Sequence, residues 1–217
     1  MTNRRMMILL AIMAPGFPAA AQNKQPTPPR MTTTIHNDDY PWDAISQNSD
    51  GVSQVEVDLD SKGRMVRCKT SGKSGSPVLD VATCQLIKKQ ASFAAALDSD
   101  GVAIPSEVPI DFVWWIPGHP YPTRRPVDAL VTVKRLPLGL RNRIVRVLQV
   151  QRADGSFESC TALVSSGSAA LDAVACSTAN SAQYPPLTEH GQPVRGLRVR
   201  QIAFEAATLA AAPVAPN

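Results

Sequence analysis

The alternation of apolar and polar residues predicts two β-hairpins, one in each half of the chain. Residues 52–59 alternate as in a half-buried strand, and residues 65–70 return after a turn that contains glycine. Residues 144–151 and 157–164 show the same arrangement around a second glycine-containing turn. A strand, a short turn and a returning strand are typical of an antiparallel hairpin.

A helix is predicted after each hairpin. The pair Ser76-Pro77 is typical of a helix start, because serine can cap free N–H groups and proline fits the first turn. Leu79 and Leu86 then lie on one face at helical spacing. The corresponding helix of the second half is expected at residues 169–179, and a shorter helix is expected to begin near Tyr40-Pro41.

A third strand is predicted at residues 107–115, and its counterpart in the second half is predicted at residues 197–204. Pro109 lies inside the first of these strands. Because proline has no N–H to donate to a neighbour, it favours an edge position over a central one. The side chains expected on one face of this strand are those of Val108, Ile110, Phe112 and Trp114.

The two halves are related by an internal repeat. Residues 74–84 and 166–176 share Ser-Gly-Ser, Leu-Asp and a final cysteine at a constant offset of 92, and Gly63 matches Gly155 at the same offset. Chance rarely keeps so many positions in register, so we interpret the pattern as a duplication. The predicted organisation is a flexible lead-in at residues 22–38, an α+β module at 39–116, a proline-rich linker at 117–126, a diverged second module at 127–205 and a loose tail at 206–217.

The first 21 residues have the three parts of an export signal. Arg4 and Arg5 give a positive start, residues 6–14 are apolar, and small residues lead to a cleavage position between Ala21 and Gln22. The apolar run is too short to span a bilayer, which needs about 20 residues; the alternative is an uncleaved segment at the membrane surface. Export predicts a periplasmic protein without a transmembrane anchor.

Four cysteines in an exported chain are expected to form disulfides. Four cysteines allow three connectivities, and the repeat favours the two equivalent pairs, Cys68–Cys84 and Cys160–Cys176. Each bond would close a loop of roughly 15 residues, worth about 3 kcal/mol in the chain-entropy model. A redox switch is the alternative, but nothing beside these cysteines indicates a lowered thiol pKa.

Composition and motifs argue against several other classes of function. The formal net charge is +4, and no dense run of lysine and arginine is interleaved with aromatic residues, so nucleic-acid binding is not expected. The three histidines, His36, His119 and His190, fit no metal-ligand spacing. None of them recurs beside the repeated serines, as a nucleophile would require. We therefore expect no metal, no cofactor and no enzymatic activity.

Several short elements follow one another over about residues 39–115. They are Tyr40-Pro41-x-x-Ala44, Asp60-x-x-Gly63, Ser74-Gly75, Leu79-Asp80, Phe93 and Gly101. In this order and spacing they resemble the C-terminal domain of TonB, the energy-transducing protein of Gram-negative envelopes. The second module shares part of the pattern and resembles a diverged copy, through Gly155, Ser166-Gly167, Leu171-Asp172, Tyr184-Pro185 and Gly191-x-Pro193.

The resemblance implies that each module is a three-stranded antiparallel sheet with two helices on one face. In TonB this domain binds an extended peptide at the plug of outer-membrane transporters, and the peptide adds a strand to the sheet edge. The resemblance therefore implies that the third strand of each module is the binding edge. The residues assigned to this edge are Val108, Ile110, Phe112, Trp114, Arg198, Arg200 and Ile202.

Two hypotheses about this edge remain open at the level of sequence. In the first, the edge is exposed and binds a protein or extended peptide in the periplasm, in connection with outer-membrane transport. In the second, the other module covers the edge, and the protein is an envelope scaffold with a TonB-like fold and no peptide binding. The chain lacks the membrane anchor and the long proline-rich segment of TonB, so energy transduction is not expected of it alone.

Overall fold

A computed structural model describes residues 25–35, 39–123 and 126–207. The predicted signal peptide with its cleavage position at Ala21 and Gln22, the end of the lead-in with His36, and nearly all of the predicted tail lie outside the described residues. Below, the first half means residues 25–123 and the second half means residues 126–207.

Each half contains a hairpin, a helix, a short hairpin and a long strand, in that order. The elements of the first half are β1 (Arg30–Met31), α1 (Trp42–Ser46), β2 (Gly51–Leu59), β3 (Met65–Gly72), α2 (Pro77–Gln90), β4 (Phe93–Ala94), β5 (Ala96–Leu97), β6 (Ala103–Ile104) and β7 (Ser106–Trp114). Those of the second half are β8 (Ala129–Val133), β9 (Ile144–Gln151), β10 (Phe157–Val164), α3 (Ala169–Ser181), β11 (Leu187–Glu189), β12 (Gln192–Val194) and β13 (Gly196–Ala206). The mixed α+β class is as predicted.

The long strands of both halves form one sheet of seven strands. Its order is β10-β9-β13-β7-β2-β3, and β8 also pairs with β13. The third strands β7 and β13 therefore meet in the middle, where they run parallel and pair at Ser106 with Leu197 and at Glu107 with Arg198. The sequence left open whether these strands are exposed edges or are covered by the other module. β13 has strand neighbours on both sides, so an exposed edge is wrong for β13. β7 is held by β2 along its length but joins β13 only at Ser106 and Glu107.

The two main helices lie on opposite faces of this sheet. Val147 of β9 packs in the apolar cluster that contains Leu171 of α3, whereas its neighbour Leu148 packs in the cluster that contains Ile87 of α2. Successive side chains of a strand point to opposite faces, so α2 and α3 must cover opposite faces. The cluster with Ile87 combines residues of both halves, including Val57.

A repeated aspartate organises the start of each main helix. Ser76 and Ser168 occupy the N-cap positions, but neither side chain makes a capping hydrogen bond, contrary to the role predicted for Ser76. Instead, the Asp80 carboxylate accepts the N–H of Ser74 at 2.9 Å, and the Asp172 carboxylate accepts the N–H of Ser166 at 2.9 Å. Each aspartate thus fixes the loop that leads into its helix and places negative charge in the first turn.

Two further predictions are corrected by the structure. The second half has one helix among its described residues, not two, and the strand β8 precedes its hairpin where α1 stands in the first half. The lead-in is not loose over residues 27–33, because Thr27 bridges to Leu97 and β1 pairs with β4. These backbone hydrogen bonds hold the segment along the first half.

The predicted disulfides are confirmed. Cys68 bonds to Cys84 and Cys160 bonds to Cys176, with Cα atoms 5.8 Å apart in both cases. Each bond joins the second strand of a hairpin to the main helix of the same half. The disulfides therefore hold β3 and β10, the outermost strands of the sheet, against α2 and α3.

Candidate binding edges

The apolar side chains predicted to line a binding edge lie in the core of the first half. Val108 is buried, Ile110 and Phe112 are half-buried against core clusters, and Trp114 is fully buried. The indole Nε1 of Trp114 donates to Thr83 Oγ1 at 2.8 Å, and its ring centroid is 4.7 Å from that of Phe112. Phe112 and Trp114 pack in the cluster beneath the helices, whereas Val108 and Ile110 also line a groove beside β7.

Of the three edge residues predicted in the second half, Ile202 is buried in the cluster under α3. Arg198 and Arg200 are buried with Glu107 of β7. Arg198 Nη1 donates to Glu107 Oε2 at 2.5 Å, and Arg200 forms an ion pair with the other oxygen of the same carboxylate. The two arginines therefore join β13 to β7 and are closed to a partner.

Further contacts complete this ion cluster. Arg198 Nε donates to Gln151 Oε1 at 2.8 Å, and Arg198 Nη2 donates to the carbonyl oxygen of Pro185 at 2.5 Å. The guanidinium of Arg200 lies 4.2 Å from the centroid of the Tyr184 ring, a cation–π arrangement. Burial alone would raise the pKa of Glu107, but the charges and hydrogen bonds of Arg200 and Arg198 outweigh it and lower this pKa. Glu107 is therefore the ionised centre of the contact between the halves.

Sequence reasoning missed Glu107, although one signal was available. Along β7, Glu107, Pro109 and Asp111 alternate with the apolar positions and therefore share the face opposite α2. On an outermost strand such residues would be exposed to solvent. In the structure this face continues onto Arg198 and Arg200 of β13, so opposite charges meet.

The outermost strands of the seven-stranded sheet are β3 and β10. Among the described residues, no strand pairs with the outer side of either. The direction of their backbone groups follows from one hydrogen bond in the middle of the sheet: the N–H of Leu197 donates to the carbonyl of Pro105 at 2.9 Å. Neighbouring residues of a strand direct their N–H and C=O groups to alternate sides of the strand. This bond and the strand registers together therefore determine where these groups point in β3 and β10.

Two positions in the regular part of each outermost strand direct their backbone N–H and C=O groups away from the sheet. In the regular part of β3, Arg67 and Lys69 direct their backbone groups to β2, whereas Cys68 and Thr70 direct theirs outward. In the regular part of β10, Cys160 and Ala162 direct theirs outward. Thr70 and Ala162 stand at equivalent positions of the repeat. An extended segment could hydrogen-bond to these groups as an added strand.

The two edges carry different side chains. On β3, Arg67 pairs with Asp58 at 2.7 Å, and Lys69 lies 4.0 Å from Glu56. On β10, Leu163 and Val164 are partly exposed. Both edges also contain register irregularities near their ends, which shorten the stretch to which a partner strand can pair.

Metal-ligand side chains do not cluster in the part of the chain that the structure describes. No group of three or more His, Cys, Asp or Glu residues there is arranged to hold a metal ion. His119 Nδ1 lies 2.8 Å from Asp50 Oδ2 at the end of the sheet. No helix within the described residues has both the length and the apolar character needed to cross a membrane.

Comparison with known families agrees with this fold. Residues 36–114 match the family described as Gram-negative bacterial TonB protein C-terminal. This match confirms the resemblance to the TonB C-terminal family that is predicted for the first module. Domains of that family are periplasmic protein-interaction modules that contact outer-membrane proteins. Searches of curated proteins and of solved structures gave no match.

Proposed function

We propose that this protein is an exported, periplasmic protein-binding module that recognises an extended segment of an envelope protein by strand addition at an outer edge of its sheet. The observation that carries the proposal is the arrangement of edges. The third strand β7, which the family resemblance assigns to binding, is joined to β13 at Ser106 and Glu107, while the outer side of β3 has no strand partner among the described residues. The protein is proposed to act without catalysis and without a cofactor.

The second half is, in this proposal, a diverged tandem copy of the first. The same order of hairpin, helix, short hairpin and long strand supports the duplication, as do the two disulfides at equivalent positions. The second copy then supplies β13, which meets the edge of the first copy. The proposed site of strand addition is therefore not the third strand but the opposite side of each copy, at β3 and β10.

A proline placed at an outward position tests the proposal. Thr70→Pro removes one outward N–H from β3 but leaves the hydrogen bonds between β3 and β2 in place, so it should abolish strand addition without unfolding the sheet. Thr70→Val is the matched control, because it retains the N–H and the branched shape and loses only the hydroxyl. Ala162→Pro makes the equivalent change on β10.

The measurement is capture of partners from a Gram-negative envelope extract, with circular dichroism to check the fold of each variant. We expect the wild type and Thr70→Val to retain the same partner and Thr70→Pro to lose it. In the complex, the amides of Cys68 and Thr70 should gain protection from hydrogen exchange. Partners that neither proline removes, or protection that appears only elsewhere, would rule out strand addition at these edges.

The second candidate function is an envelope scaffold that binds no peptide. The pairing of β7 with β13 favours it, because the start of the strand that the family resemblance assigns to peptide binding is paired within the molecule, at Ser106 and Glu107. Absence of any partner from the extract, with both proline variants behaving as the wild type, would support the scaffold.

A further inference from the structure

A groove lies where the two third strands separate. β7 and β13 pair only at Ser106–Glu107 and Leu197–Arg198 and then diverge. Farther along the separation, the N–H of Gln201 donates to Asp128 Oδ2 at 2.6 Å, and the N–H of Asp128 donates to the carbonyl of Gln201 at 2.9 Å. The groove has a volume of about 380 Å³, within the range of ligand pockets, and residues 29–31 of the lead-in form part of its rim.

One wall of the groove is apolar and the opposite wall is cationic. The apolar wall consists of Phe93, Val108 and Ile110. The opposite wall carries Arg146 of β9, which stands beside Gln201 in the sheet register. Arg30 lies at the rim.

The guanidinium of Arg146 has no hydrogen-bond or ion-pair partner among the described residues. Its Nε is buried and makes no hydrogen bond, and among the described residues neither Arg146 nor Arg30 forms an ion pair. Asp111 also lines the groove, but its carboxylate accepts from Gln54 Nε2 at 2.9 Å and faces Gln201 Nε2 at 3.5 Å. Two arginines and one aspartate line the groove, so its lining has a net positive charge. A buried donor without an acceptor is unfavourable, and a ligand that supplies an acceptor removes this cost.

We propose that this groove binds the free C-terminal carboxylate of a polypeptide that ends in an apolar residue. The carboxylate would pair with Arg146, with Arg30 at the rim, because a guanidinium binds a carboxylate through two parallel hydrogen bonds. The terminal side chain would lie against Phe93, Val108 and Ile110. A chain terminus fits better than an Asp or Glu side chain, because it carries an apolar group and a carboxylate on the same residue.

This site does not depend on strand addition. It lies at the separation of β7 and β13, whereas the proposed binding edges are the outer sides of β3 and β10. Thr70→Pro should leave it unchanged, and a change at Arg146 should leave the outer edges unchanged. Failure of one proposal is therefore distinguishable from failure of the other.

The test is calorimetric titration of the protein with short acetylated peptides that end in Phe, Leu or Val, each prepared as the free acid and as the C-terminal amide. We expect at least one free acid to bind and its amide to bind at least tenfold more weakly. Arg146→Gln should weaken the free acid to the level of the amide, and Arg146→Lys should retain part of the affinity. Arg143→Gln, an exposed arginine three residues away, should have no effect.

Three results would overturn the proposal. They are the absence of binding by every free acid, equal binding of acid and amide, and binding that is unchanged in Arg146→Gln. A fourth would overturn the assignment to a chain terminus: tighter binding of 3-phenylpropionate than of the peptide ending in Phe, since that compound has the carboxylate and the ring but no peptide group.

Discussion

At the scale of single residues, Glu107 connects the two halves most directly. It is 2% exposed, and its carboxylate accepts hydrogen bonds from both Arg198 and Arg200. A buried carboxylate between two guanidinium groups compensates charges that would otherwise be costly to bury. Removal of its charge would leave two buried cations with no contacting anion among the described residues.

We therefore predict that Glu107→Gln lowers the free energy of unfolding by about 3–5 kcal/mol, the range for breaking a buried ion pair. Urea unfolding followed by tryptophan fluorescence would measure the change. Asp60→Asn is the matched control, because its partner Arg64 is largely exposed, and such pairs contribute at most about 1 kcal/mol. A loss at Glu107 no larger than the loss at Asp60 would show that the cluster does not stabilise the contact between the halves.

At the scale of elements, each disulfide secures an outermost strand. The bond between Cys68 and Cys84 ties β3 to α2, and β3 has a single strand neighbour among the described residues. Strands with one neighbour open more readily than central strands. The disulfides are therefore expected to stabilise the edges at which we propose that partners bind.

Replacement of Cys68 and Cys84 together by alanine should lower the free energy of unfolding by about 3 kcal/mol in the chain-entropy model. Hydrogen exchange in β3 should accelerate more than in β7. The double alanine variant at Cys160 and Cys176 is the comparison, because its sequence separation of 16 is the same, and it should accelerate exchange in β10 instead. Equal acceleration of hydrogen exchange in all strands of the sheet, in both variants, would contradict a local role of each disulfide.

Sequence predicted these elements because their signals are local. The alternation of residues 52–59 and 144–151 encodes strands, and the repeat around Cys84 and Cys176 encodes the disulfide pairing. The neighbours of a strand are set by contacts far away in the chain. Ser106 and Leu197 are 91 positions apart in the chain, and no local sequence pattern predicts that they pair. Arg146, whose guanidinium has no partner among the described residues, was missed for the same reason, because the groove that it lines forms only where β7 and β13 separate.

At the scale of the whole molecule, each half reaches across to the other through its short hairpin. Asp98, beside β5, pairs with Arg195 of the second half at 2.8 Å. In return, Glu189 of β11 accepts the N–H of Ser61 at 3.0 Å and its hydroxyl at 2.7 Å. Beneath these contacts, Ala96 and Ile104 pack in one apolar cluster with Leu197 and Val199. The cluster belongs to both halves, so neither half buries its apolar surface alone.

This shared core predicts that the full chain unfolds in a single cooperative transition, although it carries an internal repeat. Leu197 is fully buried in the cluster, and Leu197→Ala should cost about 2–5 kcal/mol. The variant should shift the whole transition to lower temperature and should not split it. Calorimetry measures this directly, because the calorimetric and van't Hoff enthalpies agree only when unfolding is two-state.

The control is Ala175→Gly on α3, which lies in the separate cluster under that helix. If the two halves unfold together, Ala175→Gly also lowers the temperature of the single unfolding transition. The shift should be smaller than that of Leu197→Ala, because Ala175→Gly lowers the stability less. Two resolved transitions would contradict cooperative unfolding of the two halves, if Leu197→Ala shifted only the transition of the second half. In that case β7 could separate from β13, and the strand that the family resemblance assigns to peptide binding would become available to a partner.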